Sequence, residues 1–153
     1  MIGGMDPMTI LLCTDGSDLA LGAIRAALPV LAPAARTVVV TVTAPEDPTL
    51  VVGTGFAGGV MSPDQQDALL EQERIAAQQV LDDTVAALGL ADADTMVLTG
   101  NPGQAICDLA TSLPADVIVL GTRGHGGLRR AVMGSTSDHV VRNAGCPVLV
   151  HGE

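Results

Sequence analysis

Two short stretches decide the fold of this chain: VIVLGTRG at residues 117–124 and GSTS at residues 134–137. Residues 117–120 are apolar and mostly β-branched, which is typical of a parallel strand covered on both faces. The glycines that follow leave backbone amides open to a ligand, because no Cβ stands in the way. Hydroxyls at 135–137 come where the first amides of a helix lack partners. This order predicts a phosphate-binding site.

The spacing of these residues resembles the nucleotide-binding signature of the universal stress protein family. The pattern Gly-x2-Gly-x9-Gly-Ser of its ATP-binding subgroup is matched by Gly121, Gly124, Gly134 and Ser135. Asp15, in the stretch CTDGS, and the ending CPVLV at 146–150 also resemble that family. The resemblance extends over the chain from about residue 9 onward.

The composition limits the possible functions of the chain. A length of 153 residues fits one domain. Because Phe56 is the single aromatic residue, the core must consist of Val, Leu, Ile and Ala. Single-stranded nucleic acid therefore has no aromatic surface to stack on. The net charge of −10 also argues against nucleic acid or an anionic membrane as a partner. Because lysine is absent, P-loop and Schiff-base chemistry are excluded.

The cysteines and the chain ends carry weaker signals. Cys13, Cys107 and Cys146 share no metal-ligand spacing, and the first two lie in apolar patterns that predict core positions. With no secretory leader or membrane-length apolar run in the sequence, we expect a reducing cytoplasm. Residues 1–7, MIGGMDP, are interpreted as a cloning leader, with one domain over residues 8–153.

Strand and helix patterns alternate along the chain. Strands are predicted at residues 9–14, 37–42, 94–98, 117–120 and 148–151. A first helix after Asp18 is expected to bury Leu19, Ala23, Ala26 and Val30, and to end at Pro33. The longest helix, 66–88, has an apolar stripe of Leu70, Ala77, Leu81, Val85 and Leu88.

Two further helices complete the pattern. One helix starts at Asn101-Pro102, and its apolar positions are Ile106, Leu109, Ala110 and Leu113. The other spans 136–143, and its apolar positions are Val140, Val141 and Ala144 just after its end. The alternation predicts an α/β fold with a single doubly wound, five-stranded parallel sheet and helices on both faces. We expect the strand order 3-2-1-4-5 of adenine nucleotide alpha hydrolase-like folds.

In such a sheet the strand order reverses between strands one and four, where ligands bind. Asp15 follows strand one and Gly121 follows strand four, so both are expected at one crevice. The resemblance implies that the triphosphate of ATP contacts Gly121, Gly124, Gly134 and Ser135, with further contacts from Thr136 and Ser137. It also implies that Thr14 and Asp15 lie near the ribose and adenine, with Val42 against the adenine. Asp15 is a candidate ligand for a Mg²⁺ or Mn²⁺ that accompanies ATP.

Other features leave alternatives open. The glycine loop is either a phosphate site or a tight turn without a ligand, and its Arg123, Arg129, Arg130 and His125 either neutralise phosphates or are solvated. The Pro- and Gly-rich connection at 44–65 is either a lid or a flexible insertion. His139, next to Asp138, is expected on the surface rather than in a catalytic pair, and His151 is expected to be exposed.

The preferred functional hypothesis is an ATP-binding regulatory module of the stress response, with an unidentified downstream protein. The alternatives are a slow ATPase or nucleotide phosphoanhydride hydrolase, and a nucleotide-free scaffold for protein contacts. No catalytic residue is assigned, because the sequence has no Walker lysine and no evident carboxylate pair for Mg²⁺. The apolar last strand is expected at a sheet edge, and the resemblance implies that it pairs with its copy in a homodimer.

Overall fold

The computed structural model describes residues 7–31, 36–43, 62–122 and 133–152. These residues form five strands, four α-helices and one short 3-10 helix. The strands are β1 (Thr9–Cys13), β2 (Arg36–Thr43), β3 (Asp94–Thr99), β4 (Val117–Gly121) and β5 (Val148–His151). The α-helices are α1 (Asp18–Ala27), α2 (Pro63–Leu88), α3 (Pro102–Ser112) and α4 (Ser135–Asn143), and the 3-10 helix is Leu28–Val30.

All five strands run parallel in one sheet of order β3-β2-β1-β4-β5. The predicted α/β fold, with a doubly wound sheet of order 3-2-1-4-5, is therefore confirmed. The predicted strand limits are correct to within one residue at each end. Short β-branched runs between helical patterns were sufficient for this, because a strand covered on both faces needs apolar residues at every position.

Helices cover both faces of the sheet. α1 and α2 contribute to one hydrophobic cluster, and α3 and α4 contribute to the other. Alternate residues of β1 point to opposite faces: Ile10 and Leu12 pack on the side of α1 and α2, and Leu11 and Cys13 on the side of α3 and α4. None of these four residues is more than 7% exposed. The central strand is thus buried from both sides.

Local sequence sets where the helices begin. α1, α2 and α3 each start at a residue whose side chain accepts a hydrogen bond from a first-turn amide: Ser17, Ser62 and Asn101. At α2, the Gln65 side chain also accepts from the Ser62 amide and completes a capping box. Gly89 ends α2 in the left-handed conformation, with φ of 65°.

The predicted buried face of α1 is correct at Ala23 and otherwise wrong. The residues that the structure buries are Ala20, Ala23, Ile24 and Ala27. Ala26 is exposed, and Val30 is 72% exposed because α1 ends at Ala27 and Val30 lies in the 3-10 helix. Most residues of α1 are apolar, so its sequence is compatible with more than one apolar stripe. Pro33, the predicted end of this helix, lies outside the described residues.

α2 also differs from its prediction. It begins at Pro63, so residues 63–65 of the expected irregular connection are helical, while residues 44–61 lie outside the described part of the chain. Leu70 is 56% exposed rather than part of the core, and so is Val141 of α4, at 47%. The fully buried positions of α2 lie in its second half and include a polar residue, Thr84, which is 1% exposed. In the described ranges, no helix has both the length and the apolar character needed to cross a membrane.

His139 does not lie free on the surface, which corrects the prediction. Its Nε2 atom is buried and has no hydrogen-bond partner among the described residues. The ring packs on Gly103 of α3, where an added Cβ would come within 2.7 Å of Cβ and Cγ of His139. Asp138 instead accepts hydrogen bonds from Arg142 at 2.9 and 3.0 Å. His151 is exposed, as predicted.

Two helical glycines allow a test of the α3–α4 contact. Gly103→Ala forces a methyl group into the His139 ring, and we expect it to lower the free energy of unfolding by about 1–3 kcal/mol. Gly22→Ala in α1 is the matched control, because an added Cβ there has no atom within 4 Å. We expect the control to raise the free energy of unfolding by about 0.5–1 kcal/mol, the usual gain for Ala over Gly in a helix. Chemical denaturation measures both, and equal effects would contradict the tight contact.

The cysteines are free, and Cys13 and Cys107 are buried as predicted, while Cys146 is half-buried. Burial raises the pKa of the Cys13 thiol to about 12, and the nearby Cys107 adds to the effect. Burial also raises the pKa of Cys107 and of Cys146. Since the thiolate is the reactive form of cysteine, none of the three has the environment of an activated nucleophile.

Alkylation of the native protein tests this assignment. At pH 8, a thiol with a pKa of about 12 is a thiolate in roughly one molecule in ten thousand, so Cys13 should stay unmodified by iodoacetamide. Cys146, which is half-buried, serves as the internal comparison and should react first. Both should react after denaturation, as read by mass spectrometry of the peptides. Native modification of Cys13 at the rate of Cys146 would contradict its burial.

Candidate functional site

The candidate site lies at the carboxyl edge of the sheet between β1 and β4, where the strand order reverses. α1 follows β1 on one face of the sheet, and α4 follows β4 on the opposite face. Two connections that diverge in this way leave a crevice between them. The β1–β4 register pairs Leu12 with Val119, and two residues further along it brings Thr14 level with Gly121. The ends of both sequence motifs therefore share one seam.

The β1–α1 loop forms the first side of this seam. The Thr14 amide donates to the Val40 carbonyl at 2.9 Å, which extends the sheet by one bond. The Gly16 amide donates to Oγ1 of Thr14 at 3.0 Å, and Gly16 has φ of +80°, a conformation that favours glycine. Thr14 itself is only 6% exposed. Its hydroxyl therefore shapes the turn from inside the protein.

Asp15 is held at the start of α1. Its Oδ1 atom accepts hydrogen bonds from the Ser17 amide at 3.0 Å and from the Ser17 hydroxyl at 2.5 Å. Oγ of Ser17 in turn accepts from the Ala20 amide at 3.2 Å and caps the helix. One oxygen of the carboxylate is thus fixed by the helix N-terminus, and the half-buried side chain is presented at the seam in a defined orientation.

The β4–α4 connection forms the second side. Gly121 is the last residue of β4, and the next residue, Thr122, donates from its amide to the His151 carbonyl at 3.0 Å. The Thr122 carbonyl accepts from the Gly134 amide at 2.5 Å and from the Ser137 hydroxyl at 2.9 Å. These bonds close the loop across its base. Gly124, together with Arg123, His125, Arg129 and Arg130, lies outside the described residues.

The N-terminus of α4 differs from those of α1, α2 and α3. Its cap residue is Gly134, and within the described chain no side chain accepts a hydrogen bond from its first amides. Ser135 is exposed and Thr136 is half-buried at this end. Ser137 is 2% exposed, and the single hydrogen of its hydroxyl is shared between the Thr122 carbonyl at 2.9 Å and the Gly134 carbonyl at 3.0 Å. Ser137 therefore tightens the loop, a role that its position in the motif did not predict.

Val42 lies near the carboxyl end of β2, where it pairs with Leu98 of β3. It is partly buried against the hydrophobic cluster on the side of α3 and α4. In the described ranges, no three His, Cys, Asp or Glu side chains come together as a metal site.

Three residues that were not among the predicted site residues shape this region: Ser17, Thr84 and Thr122. Ser17 fixes Asp15 and caps α1, and a serine two residues after an aspartate at a helix start is a readable signal of such a turn. Thr84 is a lone polar residue among the core positions of α2, which is also visible in the sequence. Thr122 acts through its carbonyl, so its side chain gives no such signal.

Comparison with known sequences gives a consistent result. The model of the universal stress protein family matches residues 8–151. The chain is 40% identical over 74 residues to the universal stress protein in the QAH/OAS sulfhydrylase 3′ region of Thermus aquaticus, covering 48% of this chain and 54% of that protein. It is 37% identical over 87 residues to universal stress protein Sll1388 of Synechocystis sp., which covers 57% of this chain and 53% of that protein. The chain thus spans about half the length of these curated relatives.

Solved structures resemble the fold over nearly the whole chain. Hypothetical protein MJ0577 superposes with a TM-score of 0.77 at 19% identity, covering 95% of this chain and 96% of that one. Universal stress protein UspA from Lactobacillus plantarum superposes with a TM-score of 0.72 at 26% identity, covering 95% of this chain and 98% of that one. A universal stress protein in complex with cAMP gives 0.60 at 24% identity, covering 94% of each chain. The first and third of these likenesses concern the fold alone.

Proposed function

Because this chain belongs to the universal stress protein family, we propose that it binds ATP at the β1–β4 seam and acts as a nucleotide-dependent regulator of the stress response. One observation carries the proposal. The first amides of α4 receive no side-chain cap within the described chain, and they lie directly after the glycine motif at the strand-order reversal. Unpaired amides and the positive end of the helix dipole favour a phosphate there.

Within the described residues, no side chain competes with a ligand for the first amides of α4, whereas each of the other α-helices has such a side chain. Ser17, Ser62 and Asn101 occupy the amides of their own helices with side-chain oxygens. At α4 the corresponding residue, Gly134, has no side chain, and the hydroxyl of Ser137 in the first turn donates to carbonyls in the described contacts. A phosphate oxygen would supply an acceptor that no side chain within the described residues gives to these amides.

The proposed contacts follow the two sides of the seam. Gly121, Gly134, Ser135 and Thr136, with Gly124 from outside the described residues, bind the triphosphate. Thr14 and Asp15 lie by the ribose and adenine, with Val42 against the adenine. When a Mg²⁺ or Mn²⁺ accompanies ATP, the ion neutralises part of the triphosphate charge, and Asp15 is its candidate protein ligand. The cAMP complex of a structurally similar family member supports an adenine nucleotide as the ligand.

The proposal includes a cytoplasmic homodimer. β5 is an edge strand that pairs with β4 on one side, and its residues Val148, Leu149 and Val150 are half-buried in the single chain. A short apolar edge favours pairing with a second strand. We place β5 of a second copy there, antiparallel across a two-fold axis. The three free thiols fit a reducing compartment.

A single added charge tests the phosphate site. We expect the wild-type protein to bind Mg-ATP at micromolar levels in isothermal titration calorimetry. Ser135→Asp places a carboxylate at the exposed first position of α4, and we expect it to weaken ATP binding by about tenfold or more. The same carboxylate suits the helix dipole, so the free energy of unfolding should stay constant or rise slightly. Loss of affinity without loss of stability separates a ligand site from a structural one.

Gln66→Glu is the matched control, because it adds the same charge at an exposed position in the first turn of α2. It should leave ATP affinity unchanged. An equal loss in both variants would show that net charge, and not the α4 terminus, sets affinity. No ATP binding by the wild type would refute the proposal and favour a nucleotide-free scaffold. Multiple-turnover ADP formation that Asp15→Asn abolishes would favour the slow ATPase instead.

A further inference from the structure

Helix α2 lies directly against the loop that carries Asp15. Thr84, in the second half of α2, is 1% exposed, and its Oγ1 is 3.5 Å from Oγ1 of Thr14. The nearest side-chain atoms to a Cβ built on Gly16 belong to Val80, one turn earlier in α2, at 3.2 and 3.3 Å. The residues before and after Asp15 therefore both contact the same helix.

Because each threonine hydroxyl has one hydrogen, it can be decided which of Thr14 and Thr84 donates to the other. The Thr84 hydroxyl donates to the Val80 carbonyl at 2.7 Å, which uses its only hydrogen. In the pair with Thr14, Thr84 is then the acceptor and Thr14 the donor. Oγ1 of Thr14 remains free to accept from the Gly16 amide at 3.0 Å. The bonds form one chain, from the Gly16 amide through Thr14 and Thr84 to the backbone of α2.

We propose that Thr84 is a positioning residue, which sets the orientation of Asp15 by holding the Thr14 hydroxyl in the rotamer that accepts from the Gly16 amide. For its effect on nucleotide affinity this inference rests on the proposed function; for the loop geometry it does not. Val80 supports the same turn sterically, because Gly16 has a positive φ and little free space beside it. Ser17 fixes the carboxylate from the α1 side, and Thr84 fixes the backbone from the α2 side.

The experiment compares Thr84→Val, which keeps the shape and removes the hydroxyl, with Thr84→Ser, which keeps the hydroxyl. Thr111→Val is the matched control, since the Thr111 hydroxyl also donates to the carbonyl four residues earlier, at 3.0 Å, but on α3. Three quantities are measured for each: exchange of the Gly16 amide by NMR, ATP affinity by calorimetry, and the midpoint of chemical unfolding.

We expect Thr84→Val to speed exchange of the Gly16 amide about 5- to 10-fold and to weaken ATP binding about 3- to 10-fold, the range for loss of one hydrogen bond. Thr84→Ser should restore both to within about twofold of wild type, and Thr111→Val should change neither. Thr14→Val removes the acceptor of the Gly16 amide itself, so its effect on Gly16 exchange should be at least as large as that of Thr84→Val. The double variant should be no worse than Thr14→Val alone, since Thr84 acts through the Thr14 hydroxyl.

The readouts separate the possible failures. Unchanged Gly16 exchange in Thr84→Val overturns the inference, as does failure of Thr84→Ser to restore it, which would assign the effect to packing. Faster exchange with unchanged ATP affinity also overturns it, because the turn would then not control the ligand contact. If the wild type binds no ATP, the proposed function fails, and Gly16 exchange alone decides whether Thr84 sets the loop. If Thr84→Val loses the unfolding transition, Thr84→Ala is compared with Thr84→Ser in the same exchange measurement, because these two variants differ only in the hydroxyl; equal Gly16 exchange in the two overturns the inference.

Discussion

Burial of β1 from both sides is the constraint on which the rest of this structure depends. Residues 10–13 alternate between two hydrophobic clusters, so each face of the sheet must be covered by helices. Right-handed crossovers place helices on one face while the chain moves from β1 to β3, and on the other face once it returns to β4 and β5. The strand order must therefore reverse beside β1. The crevice at that reversal follows from the core and needs no ligand to form it.

The two sides of the crevice are held in different ways. On the β1–α1 side, side chains organise the backbone: Thr14 accepts from Gly16, and Asp15 accepts from the helix cap Ser17. On the β4–α4 side, the Thr122 carbonyl accepts hydrogen bonds from the Gly134 amide and the Ser137 hydroxyl. The first side presents a carboxylate, and the second presents backbone amides. The two sides of the crevice thus differ in chemistry, one acidic and the other rich in hydrogen-bond donors.

Packing reaches this edge from both layers. α2 contacts the Asp15 loop through Val80 and Thr84, and α4 meets α3 where the His139 ring lies on Gly103. Both contacts involve a glycine whose missing Cβ lets another side chain approach. The helices that build the core thus also contact the Asp15 loop and hold α4 against α3, and packed contacts of this kind tolerate little displacement.

The sequence by itself determined the fold class, the strand limits, the start of α3 and the family resemblance. These features depend on local patterns, such as β-branched runs, Asn-Pro at a helix start and glycine spacing. Local patterns did not determine the buried face of α1, where Ile24 is buried and Val30 is exposed beyond the end of the helix, because most residues of that helix are apolar. They also did not reveal the buried Nε2 atom of His139, the donation of the Ser137 hydroxyl to carbonyls, or the Thr14–Thr84 pair. Tertiary structure decided these, because each depends on which residue of a distant segment comes to lie opposite, and no short stretch contains that information.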